Sequence, residues 1–264
     1  MIPLRITAPS ALHPRLAGTK LRSILLSRMI PRPPDPVDRK RPLPEPPMLA
    51  AKLLAEFIGT FFLVLVIGMT AFDASLPQGL APVAVAAVLT SLIFATGHIS
   101  GAHFNPVVTL AFTIRGSTPR RETGPFMLVQ IAGAILAGMV TIWAAPPLPD
   151  GAAIEPLDLQ IVPTMVFETL FTFALVFVIL NVAAAKPIAG NQFYGLAIGL
   201  VVLAGAYVAG PVSGAAFNPA VTFALGTMGI ADWADVWMHF CSQLAGSMLA
   251  LAAFAVIDRE SAGD

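Results

Sequence analysis

A thirteen-residue frame occurs twice in this chain, as GHISGAHFNPVVT over residues 97–109 and GPVSGAAFNPAVT over residues 210–222. At its centre stand two tripeptides, Asn105-Pro106-Val107 and Asn218-Pro219-Ala220, 113 residues apart. The register extends beyond the frame: Gln130 and Gln243 are also 113 apart, and Glu56 and Glu168, 112 apart, each sit in an apolar run. The chain is one module written twice, and each copy carries a polar Asn beside a helix-starting Pro.

Composition places both copies in a bilayer. Apolar residues make up 56% of the 264 and charged residues 11%, far from the balance of soluble domains. Crossing the roughly 30 Å hydrocarbon layer takes about 20 apolar residues. Six stretches meet that length, near residues 49–72, 80–99, 125–145, 161–184, 193–212 and 234–257. Basic residues then orient the bundle. Of 15 Lys and Arg, nine precede Leu43, and Lys52, Arg115, Arg120, Arg121, Lys186 and Arg259 supply the rest. The alternate loops carry Asp73, Asp150, Glu155, Asp158, Asp232 and Asp235, without Lys or Arg. The positive-inside rule puts both termini in the cytoplasm. A duplicated three-span module must insert its second copy upside down, so equivalent residues are related by a pseudo-two-fold axis in the membrane plane.

After each Asn-Pro comes a short apolar run, over 107–114 and 220–227. With its Pro, each run reaches roughly 15 Å at the helical rise, half the hydrocarbon thickness. Proline suits the first helical position, where its missing N–H leaves nothing unpaired, and Asn before it caps the free backbone donors. The pattern predicts two half-helices that begin at mid-membrane. The small residues before each Asn, 100–104 and 213–217, read as extended backbone returning to that depth. Irregular backbone there must be buried in protein or line a water-filled cavity, and its free amides call for the intramembrane carboxylates Glu56 and Glu168. Half-helices entering from opposite sides meet N-terminus to N-terminus, each end carrying roughly +0.5 of a charge. Such a centre favours neutral hydrogen-bonding molecules and opposes cations and protons.

Residues 1–47 are different text: 11 of the 24 prolines, nine basic residues and three acids. Such composition points to a disordered extension, or to translation beginning at Met48, followed by a membrane domain over 48–258 and a tail over 259–264. The single Cys, Cys241, excludes an intramolecular disulfide and reads as packing. The four His (His13, His98, His103, His239) are too scattered for a shared metal site, with His98 and His239 read as packing or interfacial residues. No cofactor is expected, no basic patch argues for nucleic acid, and no nucleophile–base pair argues for an enzyme.

With these motifs in place, the chain resembles the aquaporins, the major intrinsic protein family, over its entire membrane portion. The resemblance implies an all-α membrane fold of six spans plus two half-helices, one pore per subunit, and a homotetramer. The family's signature asparagines correspond to Asn105 and Asn218. Its first motif ordinarily ends in Ala, where this chain has Val107. His103 matches a pore histidine on the cytoplasmic side, and the pore-lining loops would be Gly101, Ala102, His103 and Phe104 with Gly214, Ala216 and Phe217. The family's outer constriction corresponds to Val85, Ala206, Ala215 and Val221. Arg is usual at the last of these, so an ordinary water or glycerol filter is absent. The resemblance therefore implies a passive channel for water or small neutral solutes such as hydrogen peroxide, ammonia, urea, polyols or metalloid hydroxides. The alternative is an inverted-repeat secondary transporter coupled to protons through Glu56 and Glu168. Partners are the solutes and the lipid bilayer, and a bacterial inner membrane is the expected location.

Overall fold

The apolar runs fold as helices, and the Gly-Pro punctuation between them sets their ends. The computed structural model describes residues 47–145 and 155–262, apart from 74 and 78. The readings made for residues 1–46 and for the end of the tail, 263–264, lie outside the described residues. The helices are α1 (Leu49–Phe72), α2 (Leu80–Ser100), α3 (Pro106–Arg115), α4 (Arg120–Ala144), α5 (Ile161–Ile179), α6 (Tyr194–Ser213), α7 (Pro219–Thr227) and α8 (Val236–Ala262). A π-turn, Leu180–Ala184, continues α5. Six of these helices are long and apolar enough to cross a membrane. Their outward faces stay apolar, as at Leu128, Met139, Trp143 and Leu170. This is an integral membrane protein.

Two helix pairs form the frame, α1 against α4 and α5 against α8, and α2 packs on α6 between the repeats. Close approach within each pair depends on a glycine. A Cβ on Gly133 of α4 would lie 2.8 Å from the Phe57 carbonyl oxygen, and one on Gly246 of α8 would strike the Thr169 carbonyl oxygen. Small residues let membrane helices approach this closely, where packing rather than water drives association.

Helix α4 begins at Arg120, five residues before the expected start at Pro125. Apolarity marks only the membrane-buried part of a helix, and the added turn is polar. Its Glu122 is buried and pairs with Lys52 of α1 at 3.0 Å. Glu122 is therefore a third carboxylate in the helical frame beside Glu56 and Glu168. Cys241 is exposed on α8 rather than packed inside. In the loop after α1, the Ser75 hydroxyl and amide both donate to the Asp73 carboxylate, which holds its pKa below the usual carboxylate value.

Adding a β-carbon with two methyl groups at the α5–α8 contact should separate the helices. Gly246→Val is expected to cost at least about 1–3 kcal/mol, the scale of core overpacking. A lowered thermal unfolding temperature in detergent is the measurement that checks it.

Candidate functional site: two capped half-helices facing a through-cavity

The loop before each half-helix is not extended. Ala102 and Phe104 in the first loop, and Ala215 and Phe217 in the second, have φ between 48° and 51°, the left-handed region that L-residues seldom occupy. In an extended strand, neighbouring N–H groups point to opposite sides; backbone that alternates into the left-handed region turns them toward one concavity, where it can hold an anion. Here the anion is a side chain. His103 N and Phe104 N donate to the two oxygens of Glu56 at 2.9 and 2.7 Å. Ala216 N and Phe217 N donate to those of Glu168 at 3.0 and 2.9 Å.

Each carboxylate takes two further donors. Ser100 Oγ (2.6 Å) and Gln130 Nε2 (2.8 Å) complete Glu56; Ser213 Oγ (2.7 Å) and Gln243 Nε2 (2.9 Å) complete Glu168. Both acids are fully buried, and neither borders the cavity described below. Their oxygens are engaged in holding backbone, which argues against a coupling-proton site at either.

The asparagines follow from the loops. Asn105 Oδ1 accepts from Val107 N at 3.0 Å, and Asn218 Oδ1 from Ala220 N at 2.9 Å, capping α3 and α7. The amides then reach across the repeat: Asn105 Nδ2 donates to the Phe217 carbonyl at 2.9 Å, and Asn218 Nδ2 to the Phe104 carbonyl at 2.8 Å. A carboxamide carries two N–H bonds, so one is spent on this reciprocal latch and one remains for a molecule beside it. Pro106 and Pro219 occupy the first helical positions, where no amide is missed.

A cavity of about 720 Å³ passes both asparagines. At one end it is bordered by Thr70, Ala81 and Pro82, near the acidic loops; at the other by His98, Asn191 and Tyr194, near the basic ones. Val85, Ala206, Ala215 and Val221 all line it, as do Gly101, Ala102, His103, Gly214, Ala216 and Phe217. Phe104 does not: its ring is buried against Gly59, so only its backbone serves the site. The left-handed turn that delivers its N–H to Glu56 directs the side chain into the α1 contact. Val107 and Ala220 lie outside the lining too, as helix residues behind the asparagines. His103 faces the cavity with its ring between Phe112 and Phe126, centroids 4.9 and 5.6 Å away, and its Nδ1 3.2 Å from Thr109 Oγ1.

Two histidines carry more than the packing or interfacial role read for them, and Tyr194 joins the site without having been singled out in the sequence. His98 and Tyr194 border the cavity mouth. His239 is fully buried, with Nε2 2.8 Å from the Ser213 carbonyl, bracing the second loop at its start. Of the three, His239 alone had a readable signal. It is the counterpart of Phe126 in the repeat register, an imidazole where the other half keeps a ring without hydrogen-bonding groups.

The fold and site define a duplicated membrane bundle with a passage between its two inverted repeats. The model of the major intrinsic protein family matches residues 47–255. Aquaporin NIP1-1 of Zea mays is 34% identical over 220 residues, covering 78% of this chain and 74% of that protein. Nodulin-26 of Glycine max is 31% identical over 242 residues, covering 88% and 86%. The X-ray structure of the aquaglyceroporin from Plasmodium falciparum superposes with a TM-score of 0.64 at 17% identity, over 78% of this chain and 95% of that one. The chain belongs to the major intrinsic protein family. It is a passive membrane channel for water or small solutes, not an enzyme.

Removing the Glu168 carboxylate orphans two loop amides and takes one partner each from Ser213 Oγ and Gln243 Nε2, which keep the Ala209 carbonyl and Thr222 Oγ1. Glu168→Ala is expected to destabilise the protein by on the order of 3 kcal/mol or more, since unpaired buried donors cost about 1–3 kcal/mol each. Thermal unfolding beside the parent reads this directly, and an unchanged midpoint would deny the carboxylate its bracing role.

Proposed function

We propose that this channel conducts small uncharged solutes bulkier or less polar than water, with water as an accompanying permeant. The observation that carries the reading is Val221. Its side chain lines the cavity directly after the second Asn-Pro-Ala, the position at which the resemblance leads one to expect arginine. With Val85, Ala206 and Ala215 it makes an apolar ring without a fixed charge or a hydrogen-bond donor on any side chain. Such a ring neither rewards a water molecule's hydrogen bonds nor narrows the passage as a guanidinium and an imidazole would. Hydrogen peroxide, ammonia, urea, polyols and metalloid hydroxides are the solute classes that fit.

Asn105 and Asn218 supply the polar station in this reading. A solute passing them accepts the free carboxamide N–H of each while the half-helix ends set a positive potential of roughly half a charge apiece. That potential opposes cations and protons. Charge distribution supports both termini in the cytoplasm, with the His98 and Tyr194 mouth facing that side. A homotetramer follows the family. The Zea mays and Glycine max relatives are plant proteins and lend no support to the bacterial inner membrane expected from the sequence.

Stopped-flow measurements on proteoliposomes with a panel of neutral solutes test the proposal. The parent should pass urea and glycerol, and Val221→Arg should cut their flux about tenfold, the scale on which an apolar site discriminates by small changes in bulk. A parent that conducts water and excludes every larger solute would overturn it.

A further inference from the structure

The cavity wall repeats itself through the same register as the motifs. Val85 corresponds to Ile198, Ile93 to Ala206, Ala102 to Ala215 and Val108 to Val221, and all eight residues line the cavity. The outer quartet of Val85, Ala206, Ala215 and Val221 therefore has a mirror quartet of Ile198, Ile93, Ala102 and Val108. The mirror lies across the asparagines, toward the basic loops.

The two quartets differ in bulk in one direction. Ala102 equals Ala215 and Val108 equals Val221, but Ile198 stands opposite Val85 and Ile93 opposite Ala206. Beyond the quartets the same bias holds: the inner half has Tyr194 where the outer has Ala81, and His103 where the outer has Ala216. Leu89 against Val202 runs the other way, but these two sit nearer the middle. Exposure differs in the same direction at three of the four positions: Ile93, Ala102 and Ile198 are buried, at 3, 9 and 6%, whereas their counterparts Ala206, Ala215 and Val85 keep intermediate exposure; Val108 and Val221 are alike, at 2 and 3%. Ile93, Ala102, Val108 and Ile198 also belong to one packed apolar cluster, so their side chains are held in place by neighbours.

We propose that the size-selecting constriction of this channel is the inner apolar quartet, Ile93, Ala102, Val108 and Ile198, and that Ile93 and Ile198 set the largest solute that passes. This rests on the channel reading above and relocates its cut-off. The outer ring, stripped of its arginine and ring side chains, is an antechamber. Solutes that clear it meet a collar with no side-chain hydrogen-bonding group one step beyond the asparagines. The collar taxes polar solutes by desolvation and bulky ones by contact.

The test exchanges the quartets. Ile93→Ala and Ile198→Val give the inner ring the outer ring's residues; Val85→Ala enlarges the outer ring; Val85→Ile with Ala206→Ile builds an inner-type ring outside. Proteoliposome flux of water, urea, glycerol and a larger polyol is read for each, with thermal unfolding as the check on folding. The inner variants should raise the larger-polyol-to-water flux ratio about tenfold, and Val85→Ala should leave it near the parent. Should Ile93→Ala not fold, Ile198→Val, which removes a single methylene, decides in the same direction. Val85→Ile with Ala206→Ile should bring the outer ring level with the inner and leave the cut-off nearly unchanged. A conducting parent whose cut-off moves with Val85→Ala and not with Ile198→Val overturns the inner constriction alone. A parent that passes no neutral solute overturns the channel reading and this inference with it.

Discussion

Everything in the site depends on a carboxylate that gathers two consecutive backbone amides at mid-membrane. On the side turned away from the passage, where Glu56 and Glu168 are fully buried, no water is at hand, so the loop N–H groups there need an internal partner. Glu56 and Glu168 meet that need four donors at a time. Fixing the amides fixes the left-handed residues, and these in turn aim the Phe104 and Phe217 carbonyls at the opposite asparagines. The position of each carboxamide, and hence of the polar station, descends from a side chain that never touches a permeating molecule.

This hierarchy explains why some residues were legible from the chain alone and others were not. Proline and asparagine act locally, through a missing donor and a short acceptor, so the starts of α3 and α7 can be read from two letters. Apolar runs mark the six spans, and the duplicated register supplies the inversion. The loop conformation was misread because small residues are compatible with extended and left-handed backbone alike. Only the demand that neighbouring amides share one carboxylate separates the two. The start of α4 was missed for a related reason. A polar turn carries no hydropathy signal, and what holds it is a Lys52–Glu122 contact between residues 70 positions apart.

The pore wall shows what duplication preserves. Glu, Ser, Asn, Pro and the close-approach glycines match between halves because both loops must solve the same problem. Wall residues face a lumen rather than a partner atom, so their sizes are free to diverge. His103 against Ala216 shows that divergence in the wall; Phe126 against His239 shows another behind it, away from the lumen. The two imidazoles occupy different levels of the repeat, one bordering the passage and one bracing backbone.

The asparagine latch has a further consequence. Asn105 finds its acceptor on the second repeat and Asn218 on the first, so the two halves stand to each other as protomers of an obligate dimer joined by a tether. Each acceptor is a main-chain oxygen, present whatever side chain the residue bears. The tie therefore tolerates a change of amino acid at its receiving end and answers only to displacement of the chain itself, so that distortion of either half is felt at once by the carboxamide of the other.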